Sequence, residues 1–186
     1  MLKAVFLDRD GVINRDRDKY VRSLAELEVF PYAAESIRRL NEAGFEAIVV
    51  SNQQGVAKGL VSQEDLLAIQ DEITRRVASG GGRIAGFYYC PHLAQDGCSC
   101  RKPEPGLILR AAKEHGIDLA ASVMIGDSDR DVLAGKRAGC RTVLVLSGLL
   151  TREQVENAPC KPDFVAGDLS EAADYVVNPA AQRQKH

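Results

Sequence analysis

Short apolar runs that stop abruptly in acidic or small polar residues recur along this chain. Val5-Phe6-Leu7 ends in Asp8-Arg9-Asp10-Gly11, Phe45 to Val50 ends in Ser51-Asn52-Gln53-Gln54-Gly55, and Val123-Met124-Ile125 ends in Gly126-Asp127-Ser128-Asp129. Runs of this length, rich in β-branched and aromatic residues, read as buried strands. Ile84 to Tyr89 and Thr142 to Leu146 read the same way, and Phe164-Val165 as a last edge strand. Between them the spacing changes to that of helices. Ala33 to Ala43 carries Ala33, Ile37 and Leu40 on one face, with Gly44 as its C-cap. A capping box at Ser62 to Asp65 opens a helix with Leu66, Ile69 or Gln70, Ile73 and Val77 on one face. Pro105 starts a helix with Ile108, Ala111, Ala112 and His115 inward, closed by Gly116. Further helices run through Val132 and Leu133 to Gly139, from a box at Thr151 to Gln154, and from a cap at Asp168 to Glu171 as far as Val177.

Strands alternating with helices predict a doubly wound α/β fold, a mostly parallel sheet with helices on both faces. Residues 1–177 are expected to form one domain without a large cap domain or internal repeat, followed by a polar, frayed tail from Asn178 to His186. In such folds ligands bind beyond the carboxyl ends of the strands, where strand order reverses. The reactive residues named above fall at those ends. Ser79-Gly80-Gly81-Gly82 follows a helix and precedes a strand, the wrong order for a phosphate-binding turn, and reads as a connector.

Composition narrows the function. With 186 residues, 45% hydrophobic and 27% charged, the chain resembles an ordinary globular protein. A net charge of −2 and the lack of an aromatic–basic run argue against a nucleic-acid coat or a polynucleotide substrate. No apolar run reaches the roughly 20 residues of a membrane span, and the first run stops at Asp8, too early for a secretory signal. A cytoplasmic monomer is expected. Five cysteines, three of them at 90, 98 and 100, do not resemble a secreted disulfide framework.

Asp8 and Asp10, two apart on an extended backbone, can face the same side. Asp10-Gly11 alone also suits a hairpin turn. With Asp127 the pair forms a carboxylate cluster fit for magnesium, which takes few carboxylates plus phosphate oxygens. Ser51 offers a hydroxyl to a phosphate and Lys102 a point charge, so the group outlines a phosphoryl-transfer site. A second constellation, Cys90-x-His92 and Cys98-x-Cys100, supplies four ligands for a closed, structural zinc site. Such a site would staple the loop 90–100 that leads into Arg101-Lys102. Cys140, Cys160 and His115 read as structural.

The order Asp8-Arg9-Asp10-Gly11, Ser51-Asn52, Arg101-Lys102-Pro103 and Gly126-Asp127-x-x-x-Asp131 resembles the four motifs of the haloacid dehalogenase superfamily of phosphatases. The resemblance implies Asp8 as nucleophile and Asp10 as acid/base. It implies magnesium between the Asp8 carboxylate, the Asp10 backbone carbonyl and Asp127, with Ser51 and Lys102 on the phosphoryl group. Asp131 falls one helical turn past Asp127 and suits either ligation or support of a ligand.

Within the superfamily, Cys-Pro-His…Cys-x-Cys-Arg-Lys-Pro is similar to a compact zinc-containing branch. That branch holds D-glycero-D-manno-heptose-1,7-bisphosphate 7-phosphatases and histidinol-phosphate phosphatases. Residues 51–59 look more like the heptose enzymes, which typically read Ser/Thr-Asn-Gln-Ser-Gly-Ile-Ala-Arg-Gly. Gln54 and Lys58 depart from that pattern, whereas the short spacer between His92 and Cys98 also occurs in sequences resembling the histidinol enzymes. The resemblance implies a phosphorylated sugar substrate. Without a cap, selectivity falls to loops at Arg15 to Tyr20, Gln53 to Lys58 and the zinc loop, with Asn52, Lys58 and Arg101 as substrate-binding candidates and Lys58 and Arg101 suited to a distal phosphate or to sugar hydroxyls. A non-catalytic zinc-loop binding module is the alternative of another class, and Asp8, Asp10, Lys102 and Asp127 together argue against it.

Overall fold

A computed structural model describes residues 1–16 and 20–178. Six strands, β1 (Lys3–Leu7), β2 (Phe45–Asn52), β3 (Ile84–Cys90), β4 (Val123–Gly126), β5 (Arg141–Val145) and β6 (Phe164–Ala166), form one sheet in the order β3-β2-β1-β4-β5-β6. Every pairing is parallel. Helices α1 (Ala33–Glu42), α2 (Gln63–Ser79), α3 (Gly106–His115), α4 (Asp129–Ala138), α5 (Arg152–Glu156) and α6 (Leu169–Val177) connect them.

The continuous apolar runs follow from burial of both faces of the sheet. Val5, Leu7, Ala47, Val49, Val123, Ile125, Val143 and Val145 pack with α1, α2 and α6. The alternate residues Ala4, Phe6, Ile48, Val50 and Met124 pack with α3 and α4 on the other side. Chain order reverses between β1 and β4, so Asp8 and Asp127, one step beyond those strands, meet at the switch point. The parallel pairing of β1 with β2 excludes a hairpin at Asp10-Gly11.

Element boundaries move by a residue or two from the sequence expectation. Strand β2 continues through Ser51 and Asn52 because both pair with β3, opposite Tyr89 and Cys90. Strand β5 starts at Arg141, opposite Val123, and ends at Val145. Pro105 stands at the N-cap of α3 rather than inside its first turn. The box at Thr151 is reciprocal with Gln154, whereas Ser62 accepts from the Asp65 backbone and gives its hydroxyl hydrogen to the Asp65 carboxylate. Among the described residues no inserted domain covers the strand ends, and no helix is long and apolar enough to cross a membrane. The expected tail beyond Asn178 and most of the loop between Arg15 and Tyr20 lie outside the described residues.

Candidate active site

Lys102 organises the carboxylates. Its Nζ lies 3.1 Å from Asp8 Oδ2, 2.5 Å from Asp131 Oδ1 and 2.8 Å from the Val50 carbonyl, with 2% of the side chain exposed. Burial opposes its charge, but the carboxylates of Asp131 and Asp8 outweigh that, and its pKa lies above the ordinary lysine value. The backbone of Lys102 is clamped by Asn52, which donates Nδ2 to its carbonyl and accepts its N–H, both at 3.0 Å. Asn52 therefore fixes the lysine, and its amide is committed to that backbone.

Asp8, Asp127 and Asp131 each bring a carboxylate oxygen within 4.8 Å of the others. Burial pushes Asp127 up to about 8, and the neighbouring carboxylates of Asp131 and Asp8 add to it. Asp8 is pushed up to about 6, again chiefly by burial, with Lys102 pulling it down and Asp131 pushing it up. Carboxylates held together out of water need a cation, and hard oxygen ligands of this kind suit magnesium. Asp131 is already engaged on both sides: beyond Lys102, its Oδ2 accepts from Ser128 N at 3.1 Å and Ser128 Oγ at 2.6 Å. It is better placed to buttress Lys102 and α4 than to ligate. Asp127 is wedged between backbones. A Cβ on Gly11 would lie 2.3 Å, and one on Gly148 2.0 Å, from Asp127 Oδ2. The loop bearing Gly148 is tied down by Ser147 Oγ donating to the Gly11 carbonyl at 2.7 Å.

The Asp10 side chain turns to a different set of partners. Arg9 grips it through Nε and Nη2, and Asn14 and Gln53 donate to it at 2.9 Å. Its carboxylate is thus outside the acidic cluster, which suits a backbone contact to the metal better than a side-chain one. Ser51, 2% exposed, accepts from Gln53 Nε2 at 3.1 Å. Arg9 and Asn14 were not legible as site residues, and the sequence places Gln53 only in a selectivity loop. The one available signal was an arginine in a buried stretch, which needs a partner.

These groups open onto a cleft of about 450 Å³. Arg101, Tyr20, Gln54 and Leu149 line it, as does Arg130, which the sequence did not single out. Arg101 donates to the His92 carbonyl at 3.2 Å and to Gln54 Oε1 at 3.3 Å, while Gln54 Nε2 donates to Tyr20 Oη at 2.9 Å. Lys58 does not line the cleft. Its ammonium bonds Tyr20 Oη at 2.9 Å and lies over the Tyr20 ring, because the turn at 53–61 carries it outward to the rim.

The four candidate zinc ligands converge, with ligand atoms within 4.8 Å of one another. Cys90 Sγ lies 3.6 Å from Cys98 Sγ and 3.3 Å from Cys100 Sγ, and the latter two are 3.4 Å apart. His92 Nδ1 is 3.5 Å from Cys90 Sγ and 3.3 Å from Cys100 Sγ. A zinc tetrahedron with Zn–S near 2.3 Å has edges of roughly 3.8 Å, so the four atoms form a slightly contracted cage for that ion. All five cysteines are free thiols; Cys140 is buried and Cys160 packs against a small cluster with Val132, Leu144 and Val155.

Known proteins agree with this geometry. A HAD-hydrolase-like family model matches residues 99–172. A D-glycero-β-D-manno-heptose-1,7-bisphosphate 7-phosphatase of Pseudomonas aeruginosa is 40% identical, over 93% of this chain and 97% of its own. The same-named protein of Bordetella bronchiseptica is 36% identical over 96% and 100%. A crystal structure of D,D-heptose 1,7-bisphosphate phosphatase from B. bronchiseptica, complexed with magnesium and phosphate, superposes with a TM-score of 0.87 at 36% identity, covering 95% of this chain and 98% of that one. The chain belongs to the heptose-1,7-bisphosphate 7-phosphatase family of HAD-like hydrolases.

Proposed function

We propose that residues 1–177 form a phosphomonoesterase that removes the 7-phosphate of D-glycero-D-manno-heptose 1,7-bisphosphate. The observation that carries the chemistry is the buried contact of Asp8 with Lys102 beside Asp127 at the switch point of the sheet. The substrate follows from relatives that span nearly the whole chain and bear that name.

In this reading an Asp8 carboxylate oxygen attacks phosphorus as the bond to the sugar oxygen breaks, and Asp10 gives that oxygen its proton. Asp10 then takes a proton from water, whose oxygen attacks the aspartyl-phosphate, and the bond to Asp8 breaks, restoring both carboxyl groups. Ser51 and Lys102 hold the oxygens of the phosphoryl group. Asp8, Asp127 and the Asp10 carbonyl would hold magnesium, which supplies positive charge to the carboxylates and phosphoryl oxygens. Cys90, His92, Cys98 and Cys100 would hold zinc as a structural staple for the loop that delivers Arg101 and Lys102. Arg101 and Arg130 are the cations of the cleft best suited to the distal phosphate, with Lys58 left at the rim. The reading extends to a monomer in a reducing cytoplasm, which suits cysteines outside disulfides and a zinc–thiolate loop.

Phosphate release is measured with magnesium from the α and β anomers of the heptose bisphosphate, from histidinol phosphate and from a 3′-phosphorylated oligonucleotide. Preference for a heptose bisphosphate supports the reading. Preference for histidinol phosphate overturns the substrate, and no turnover with any of them, while a partner still binds, returns the binding module.

A further inference from the structure

Three buried side chains converge on the Asp10 carboxylate. Arg9 places Nε 3.1 Å from Oδ1 and Nη2 2.9 Å from each oxygen. Asn14 Nδ2 donates to Oδ1 at 2.9 Å, and Gln53 Nε2 to Oδ2 at 2.9 Å. Arg9 and Asn14 are fully buried and Gln53 is 2% exposed. Burying an arginine and two amides is costly unless they are hydrogen-bonded, and here each gives at least one donor to the same carboxylate.

Arg9 alone neutralises the charge of Asp10, so Gln53 needs another explanation. Its NH2 has two hydrogens. One goes to Asp10, beyond the end of β1, and the other to Ser51 Oγ at 3.1 Å, at the end of β2. Because Ser51 Oγ accepts from Gln53, its own hydrogen is given to the Asp8 carboxylate. A single buried amide thus sets the spacing between two groups carried by different strands. An apolar side chain of the same size would fill the volume equally well and fix neither.

We propose that Gln53 is a positioning residue for the reaction: its amide holds the Asp10 carboxyl in register with Ser51, so that the proton of Asp10 is aimed at the leaving oxygen of a phosphoryl group held by Ser51. The inference rests on the roles given above to Asp10 and Ser51. Its signature is a dependence on the leaving group. A sugar alkoxide must be protonated as it departs, whereas p-nitrophenolate leaves without help.

The test uses the full-length, zinc-loaded protein with magnesium and two variants, Gln53→Met, which keeps the volume and removes the donor, and Gln53→Glu, which keeps the shape and reverses the polarity. Values of kcat and KM are measured on the sugar phosphate and on p-nitrophenyl phosphate. Circular dichroism and zinc content identify which variants keep the parent fold. The expected result is a kcat/KM, which reports the steps up to departure of the leaving group, that falls at least about tenfold further on the sugar phosphate than on p-nitrophenyl phosphate, within the range of a general acid's contribution. Equal losses of kcat/KM on the two substrates, or no loss, would overturn the proposal. If the parent enzyme does not accept a heptose phosphate, that failure belongs to the substrate assignment; the ratio is then measured with whichever alkyl phosphate it hydrolyses best.

Discussion

Lys102 Nζ lies 3.1 Å from Asp8 Oδ2, and both groups are screened from solvent, the lysine almost completely. A buried ammonium between two carboxylates can keep its charge only while they keep theirs, so Lys102 and its partners stand or fall together. The first prediction follows. Lys102→Ala should abolish measurable turnover, a loss of at least about 10³ for a group stabilising phosphoryl charge. It should also destabilise the fold by about 3–5 kcal/mol, because Asp131 loses its buried cation. Denaturant unfolding and phosphate release read the two effects. Lost activity with unchanged stability would contradict the buried ion-pair geometry.

The carboxylate cluster makes stability depend on pH in an unusual direction. Burial and mutual repulsion raise Asp8 to about 6 and Asp127 to about 8 from an ordinary value of 3.8. Between roughly pH 4 and 8 the folded, magnesium-free protein therefore holds protons that the unfolded chain has released, and these groups weaken it as pH rises through that window. Magnesium binds the ionised forms, so the Tm increase it gives should be larger at pH 8 than at pH 5.5. Asp127→Asn should remove much of the fall in metal-free Tm between those pH values. An unchanged slope in the variant would refute the assignment.

Gly148 offers a quieter test of the same cluster. Alanine there would place a methyl group 2.0 Å from the present position of Asp127 Oδ2 and force the carboxylate aside. Magnesium affinity should drop by about 10–100-fold, as for other changes that misdirect a ligand. Zinc content should stay at the parent level, since the atoms nearest the added methyl all belong to Asp127. Titration calorimetry with magnesium, beside metal analysis, decides it; parent affinity would show that Asp127 is not held by that backbone.

Much of this architecture can be read from the residues because a parallel sheet buried on both faces leaves continuous apolar runs, and Asp8, Ser51 and Asp127 announce where they stop. The candidate zinc ligands are legible for a similar reason: Cys90, His92, Cys98 and Cys100 are close in sequence, so spacing alone nearly fixes their meeting. What was not legible depends on contacts between distant segments. Asn52 reads as a substrate-binding candidate until Lys102, fifty residues later, supplies the backbone it clamps. Lys58 suggests a substrate contact by its charge, but Tyr20 captures it. Gln53 and Gly148 carry no chemical signal in isolation and acquire a role only from what lies against them.

The zinc loop should matter beyond its own four ligands. Arg101 is bonded to the His92 carbonyl, and its next residue is Lys102, so loss of a zinc ion held by the loop should loosen these two cations. Cys98→Ser should release zinc, lower Tm by roughly 5 °C or more at 2–4 °C per kcal/mol, and depress turnover. Metal analysis, thermal unfolding and phosphate release measure the three. A zinc-free variant with parent activity would remove the loop from the mechanism.

The nucleophile can be caught directly. In Asp10→Asn the group that activates water is gone, while p-nitrophenyl phosphate needs no protonated leaving group, so the first half-reaction proceeds and the second stalls. Mixing this variant with magnesium and p-nitrophenyl phosphate, quenching in acid and mapping peptides by mass should give a nitrophenolate burst of about one equivalent and a phosphoryl adduct on Asp8. An adduct on any other residue, or steady release with no burst and no adduct, would contradict Asp8 as the attacking group.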